Sequence, residues 1–147
     1  MAGDRLDPKR FAEKVNEWAR GTMIESHGTR FLSVGEGQAV AELDFRPELT
    51  QLTGLFHAGA IIAFADETAT AASMWELNPA GEFRPELFPL TLQLSVNLIR
   101  NTNRGTLRAE ARIIHRGRTT IVVEVGVRDQ EQRLIANLIA TQLAPPL

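Results

Sequence analysis

Between Leu52 and Ser73 the chain reads LTGLFHAGAIIAFADETATAAS, with two neighbouring carboxylates, Asp66 and Glu67, in an otherwise small and apolar run. Removing a carboxylate from water is costly, so such a run seldom holds one without a partner or a chemical task. Burial among Ala, Ile and Phe is expected to raise the Asp66 pKa and strengthen it as a base, while a nearby dipole end opposes that shift. From about Gly59 to Leu77 the run is rich in helix formers and too long for a strand, so helical phase decides which groups can meet. At about 100° per residue, the nine-residue step from His57 to Asp66 turns roughly 900° and leaves them on opposite faces. Asp66 and Thr70 share a face, with Gly59 seven residues before Asp66 and Ser73 seven after it. A site that uses both Asp66 and the N–H groups and positive dipole end of the helix N-terminus is therefore expected to combine two copies of the chain.

Other elements must position that helix. Asp7 and Pro8 open an amphipathic helix expected to run to Arg20, with Phe11, Val15 and Trp18 along one face and Gly21 ending it. Thr29 to Val34 and Gln38 to Phe45 read as strands joined at Gly35-Glu36-Gly37, and Pro47 stops the hairpin. Asn78-Pro79-Ala80-Gly81 closes the long helix. Leu90 to Arg100, Thr106 to Arg116, Thr119 to Asp129 and Arg133 to Leu143 then read as strands, with Asn103-Arg104-Gly105 and Arg116-Gly117-Arg118 as hairpin turns. This order predicts an α+β fold: a curled antiparallel meander around one long helix, with residues 1–28 as an N-terminal helical segment before a single domain at 29–147.

Composition narrows the function classes. With 16 basic against 18 acidic residues and a net charge of −2, nothing favours nucleic acid or an anionic membrane, so any anionic ligand must be met locally. The absence of cysteine excludes a disulfide, a thiolate nucleophile and a Cys-based metal site. No metal is needed, and no apolar run approaches the roughly 20 residues of a membrane span. A cytoplasmic protein is the simplest expectation.

The strand pair, central helix and following strands, together with His57-Ala58-Gly59 and Asp66 nine positions after His57, resemble the hotdog-fold acyl-CoA thioesterases of the phenylacetate-pathway and 4-hydroxybenzoyl-CoA types. The resemblance extends from about Thr29 to Gln142. It implies that Asp66 is the catalytic carboxylate, that the His57 turn opens the helix, that Gln51 orients the thioester and that Thr70 positions water. Asn97 and Arg100 resemble the family's strand ending, and Arg116, Gly117 and Arg118 a hairpin that meets CoA phosphates. Arg suits that role through bidentate bonding. Implied with them are a homodimer, commonly a homotetramer, and no cofactor beyond the coenzyme A of the substrate. Ala58 departs from the family's His-Gly-Gly turn at the position whose N–H polarises the carbonyl. It keeps the N–H, but its methyl crowds a close ligand and it tolerates positive φ poorly.

Each residue also has a plainer reading. Glu67 is expected to serve in a salt bridge or interface, and His57 is equally a histidine that holds its turn by hydrogen bonds. Gln51 and Thr70 read equally as ordinary polar groups, the two arginines as a solvated turn, and Trp18 and Trp75 as core or interface aromatics. Phe83, Leu87 and Phe88 in Leu77–Pro89 either cover an acyl or aromatic pocket or pack at an interface. For the reaction, water activated by Asp66 and attack by Asp66 itself through a mixed anhydride both remain open. Two other functions stay in view: a hydratase or dehydratase, whose Gly-Asp-x-Asn-Pro-x-His run is absent, and a non-catalytic acyl-CoA-binding protein. The acyl group is not legible.

Overall fold

The computed structural model describes residues 4–145. Two short helices, α1 (Pro8–Trp18) and α2 (Met23–His27), precede a hairpin of β1 (Arg30–Gly35) and β2 (Gln38–Asp44). The long helix α3 (Ala58–Leu77) follows, and then β3 (Leu90–Leu98), β4 (Thr106–Arg116), β5 (Thr120–Arg128) and β6 (Leu134–Leu143). The Asp7 carboxylate accepts from the Lys9 and Arg10 N–H groups at 3.1 Å, which fixes the start of α1. This helix ends at Trp18, two residues before the expected stop, because Thr22 caps a separate turn of helix, α2, which local periodicity did not reveal. The β1–β2 turn is Glu36-Gly37, both at positive φ (55° and 78°), as a two-residue primed hairpin turn requires.

All six strands form one antiparallel sheet in the order β1-β2-β4-β5-β6-β3. The expected four-strand meander is therefore corrected to three strands, β4-β5-β6. β3 instead pairs with β6 at the far edge, Leu90 opposite Leu143 and Leu98 opposite Ala136. Asn103-Arg104-Gly105 is accordingly part of a crossover. It passes the N-terminal end of α3, where Phe56 N–H donates to Thr102 O at 3.2 Å, and reaches β2, where Phe45 N–H donates to Gly105 O at 2.8 Å. Register shifts at Phe31/Ser33, Thr91/Gln93 and Ile113/His115 bend the sheet about α3.

The core lies between that concave face and α3. Ile61, Phe64, Ala65, Ala69 and Ala72 of the helix are buried against Leu107, Ala109, Val123, Val125 and Leu138 of the strands. Small residues on α3 let it approach the sheet closely, while the larger β-branched residues fill the strands. Phe11, Ala12 and Val15 of α1 belong to the same core, and the Asn16 amide brackets Phe31, donating to its carbonyl and accepting from its N–H, both at 2.9 Å. No helix among the described residues is long and apolar enough to cross a membrane.

Candidate functional site

At the start of α3 the His57 backbone is extended (φ −67°, ψ 136°), and its Nδ1 accepts from the Gly59 N–H at 2.8 Å. An accepting Nδ1 leaves the neutral ring's proton on Nε2. His57 is thus the helix cap, and Gly59 makes room for it: a Cβ there would lie 2.9 Å from Nδ1. Ala58 is the first helical residue, exposed and not at positive φ, which corrects the expected backbone strain at this position. Its N–H meets no acceptor among the described residues. Across the Thr50–Phe56 bridge, the Gln51 side-chain oxygen accepts from the Thr53 N–H at 3.2 Å, which leaves the amide NH2 as its donor group. Asn101 clamps Phe56, accepting from its N–H at 3.1 Å and donating to its carbonyl at 2.8 Å, so the segment after β3 secures this turn.

Nine residues along α3, about 13 Å at 1.5 Å per residue, Asp66 belongs to a different cluster. The Thr91 hydroxyl on β3 donates to Asp66 Oδ1 at 2.7 Å. Gln142 of β6 is wholly buried, and its amide NH2 donates to Thr70 Oγ1 at 2.8 Å and Thr91 Oγ1 at 3.2 Å. The Ser73 hydroxyl donates to the Gln142 amide oxygen at 2.5 Å. Because the amide donates to both threonines, Thr91 must direct its own proton to Asp66, and Thr70 retains a proton to offer elsewhere. Burial pushes the Asp66 carboxyl above the ordinary carboxylate range, and the Thr91 hydrogen bond partly opposes this. Asp66 and Thr70 line a cavity of about 450 Å³ whose other walls include Trp18, Phe31, Met74, Phe83 and Phe88. Trp18 packs against the core as expected, edge-on to Phe11 at 5.9 Å between ring centroids, and also forms a cavity wall, 5.5 Å from Phe83. Trp75 is buried as expected.

Glu67 also lines this cavity and pairs with buried His27, its Oε1 2.9 Å from Nδ1. Burial raises its pKa, while His27 and Thr29 lower it. The CoA candidates lie elsewhere. Arg116 is half-buried, 3.9 Å from Glu76 near the C-terminal end of α3, and it bonds the Gly117 carbonyl. Gly117 N–H donates to Thr120 O at 2.8 Å, closing the hairpin, and Arg118 is exposed on it. Asn97 is exposed on β3, and Arg100, just beyond that strand, donates to Leu134 O at 3.3 Å. One chain therefore holds three separate groups: Gln51, His57, Ala58 and Gly59 with Arg100 nearby; Asp66 with Thr70; and Arg116 to Arg118. Among the described residues no cluster of His, Asp and Glu has the arrangement of a metal site.

Sequence reasoning missed Thr91, Gln142 and His27. The alternation Leu138, Ala140, Gln142 along β6 was a usable signal, since it places an amide where core residues belong. Nothing local marks Thr91, whose partner is 25 residues away, or His27 in an unforeseen helix.

Known proteins share this architecture. The Thioesterase superfamily matches residues 53–136. A Mycobacterium tuberculosis protein that bears an esterase name is 31% identical over 109 residues, 74% of this chain and 76% of that one. The 1,4-dihydroxy-2-naphthoyl-CoA hydrolase of Listeria monocytogenes is 26% identical over 111 residues, 76% of this chain and 85% of that one. The fold superposes on a mutant thioesterase of Pseudomonas aeruginosa with a TM-score of 0.81 at 23% identity, covering 92% of this chain and 94% of that one. With its curled six-stranded sheet about α3 and the family match across both the turn at His57 and Asp66, the chain belongs to the thioesterase superfamily, as a hotdog-fold thioester hydrolase.

Proposed function

We propose that this protein hydrolyses acyl-CoA thioesters to the free acid and CoA at a site shared between two copies of the chain. The observation that carries the reading is Asp66: a half-buried carboxylate without a cation partner, its pKa raised, facing an apolar cavity and oriented by Thr91. In this mechanism the thioester carbonyl accepts from the unpartnered Ala58 N–H of one copy, reinforced by the α3 dipole and the Gln51 amide NH2. Asp66 of the other copy, with Thr70 holding water, attacks through that water or directly, in which case water then cleaves the mixed anhydride to the free acid and regenerates Asp66. CoA leaves as the thiolate and takes up a proton. Arg116, Gly117 and Arg118, with Arg100 and Asn97, are assigned to the nucleotide end of CoA, and no cofactor or metal is invoked.

Support for a homodimer comes from β3. It is an edge strand with its outer hydrogen-bonding side unpaired, and it exposes Leu90, Leu92 and Leu98. Pairing this edge with a second copy would extend the sheet and bring the α3 start of one chain towards Asp66 of the other, and pairing of such dimers would give the tetramer. An acyl-CoA substrate accords with a cytoplasmic protein, and the Listeria relative's activity on a CoA thioester favours the same substrate class. The test is thiol release from acetyl-, octanoyl- and phenylacetyl-CoA by the unaltered protein and by Asp66→Asn. Release abolished in the variant supports the reading, whereas equal release removes Asp66 from the chemistry. A pre-steady-state burst of CoA ahead of free acid shows the anhydride route, and label in the Asp66 carboxyl after a single turnover in H2¹⁸O shows that water opens it at the Asp66 carbon.

A further inference from the structure

One wall of the cavity beside Asp66 is made by a helix too short to hold itself. α2 has five residues, and an isolated helix of that length does not persist in water. Yet Thr22, its cap, and Ile24 both line the cavity. Two contacts hold α2 in place, one of them to Glu67, which also lines the cavity. Arg46 donates to the Ser26 and His27 carbonyls at 2.7 and 2.6 Å, covering the C-terminal end. His27 reaches inward, its side chain 6% exposed, and docks Nδ1 on Glu67 of α3, itself 12% exposed. Thr29 Oγ1, 3.2 Å from the same nitrogen, completes the cluster. The reaction uses none of these groups.

We propose that the His27–Glu67 pair is a positioning device that fixes α2 as a wall of the acyl cavity and so makes the enzyme selective for bulky apolar acyl groups, of about eight carbons or one ring, over acetyl. This rests on the acyl-CoA reading above. The cavity, about 450 Å³, has the volume of roughly fifteen waters at liquid density. An acetyl group leaves most of that space to water against Trp18, Ile24, Phe31, Met74 and Phe88, whereas a larger acyl group displaces the water and covers those side chains. The selectivity needs the wall in place. A buried carboxyl is sensitive to loss of its hydrogen-bonding partner, because it is left buried and uncompensated, while a replacement that still donates to it is tolerated. His27→Leu strands Glu67 and releases α2; His27→Gln keeps a donor for Glu67 and leaves the cavity lining unchanged.

Binding of thioether analogues that cannot be hydrolysed, followed by calorimetry, tests the cavity independently of turnover. S-octyl-CoA and S-benzyl-CoA are expected to bind the unaltered protein at least tenfold more tightly than S-methyl-CoA. His27→Leu is expected to lose most of that preference while binding S-methyl-CoA within threefold of the unaltered protein, and His27→Gln is expected to keep it. For hydrolysis, KM for octanoyl-CoA rises in His27→Leu while kcat changes little. A purely structural pair would weaken all three analogues by one factor, and that result overturns the proposal. So does a preference for S-methyl-CoA in the unaltered protein. If the size preference and its loss are found but no thioester is cleaved, the positioning role stands and the hydrolase reading fails.

Discussion

At Asp66 the same burial that suits the carboxylate to chemistry costs stability. Its folded pKa lies above the unfolded value, so between those values the folded chain holds a proton that the unfolded chain has released. Stability contributed at this position is therefore lost as pH rises through that window and stays lost at neutral pH. Asp66→Asn is expected to raise the melting temperature at pH 7, with the advantage shrinking as pH falls towards the ordinary carboxylate pKa, while hydrolysis falls by about 10²–10⁴-fold. Thr91→Val removes the hydrogen bond that favours the charged form, so the acidic limb of kcat/KM should move to higher pH. An unchanged pH profile would show that Thr91 does not tune Asp66. Ala58→Pro probes the other half of the site. Proline is compatible with the first helical position after an extended His57, so it deletes the N–H with little disturbance of α3. We expect a folded protein with hydrolysis reduced by about 10²–10³-fold.

Among the elements, α3 is set by local features and oriented by distant ones. The His57 cap and the alanine-rich run were legible because capping and periodicity act within a few residues. His57→Ala should cost about 1 kcal/mol in denaturant unfolding through the lost cap. The face α3 presents at Asp66 is completed by Thr91 and Gln142, from strands the helix meets only in the folded state. Gln142→Leu keeps the volume but leaves Thr70 and Ser73 without their amide partner, and is expected to destabilise by about 1–3 kcal/mol. Glu67 was legible as a salt-bridge residue from its unfavourable place in an apolar helix, but its partner was not, because α2 has no periodic signal at five residues.

For the whole molecule the decisive prediction concerns assembly. In a symmetric dimer of one Asp66→Asn chain and one Ala58→Pro chain, one site carries both lesions and the other carries neither. Unfolding and refolding an equimolar mixture of the two inactive variants should therefore restore about a quarter of the original activity. No recovery, with mixed dimers demonstrated, would place Asp66 and Ala58 in sites within single chains. Leu92→Lys on the exposed β3 edge should give a monomer by light scattering and abolish hydrolysis with it.

The sequence by itself determined the helix phase that separates His57 from Asp66, the Asp7 cap, the β1–β2 and β4–β5 turns, the α+β class and, through the spacing of His57-Ala58-Gly59 and Asp66, the family. These depend on interactions within a turn or two of chain. The tertiary structure decided that β3 lies beside β6, that Asp66 answers to Thr91 and Gln142, that Ala58 is unstrained and that His27 secures Glu67. Short connections made a meander look natural, but pairing is set by which faces the assembled sheet can bury around α3. The contacts that complete the site join residues 25 to 72 positions apart, a range over which hydrophobic pattern and turn chemistry carry no pairing information.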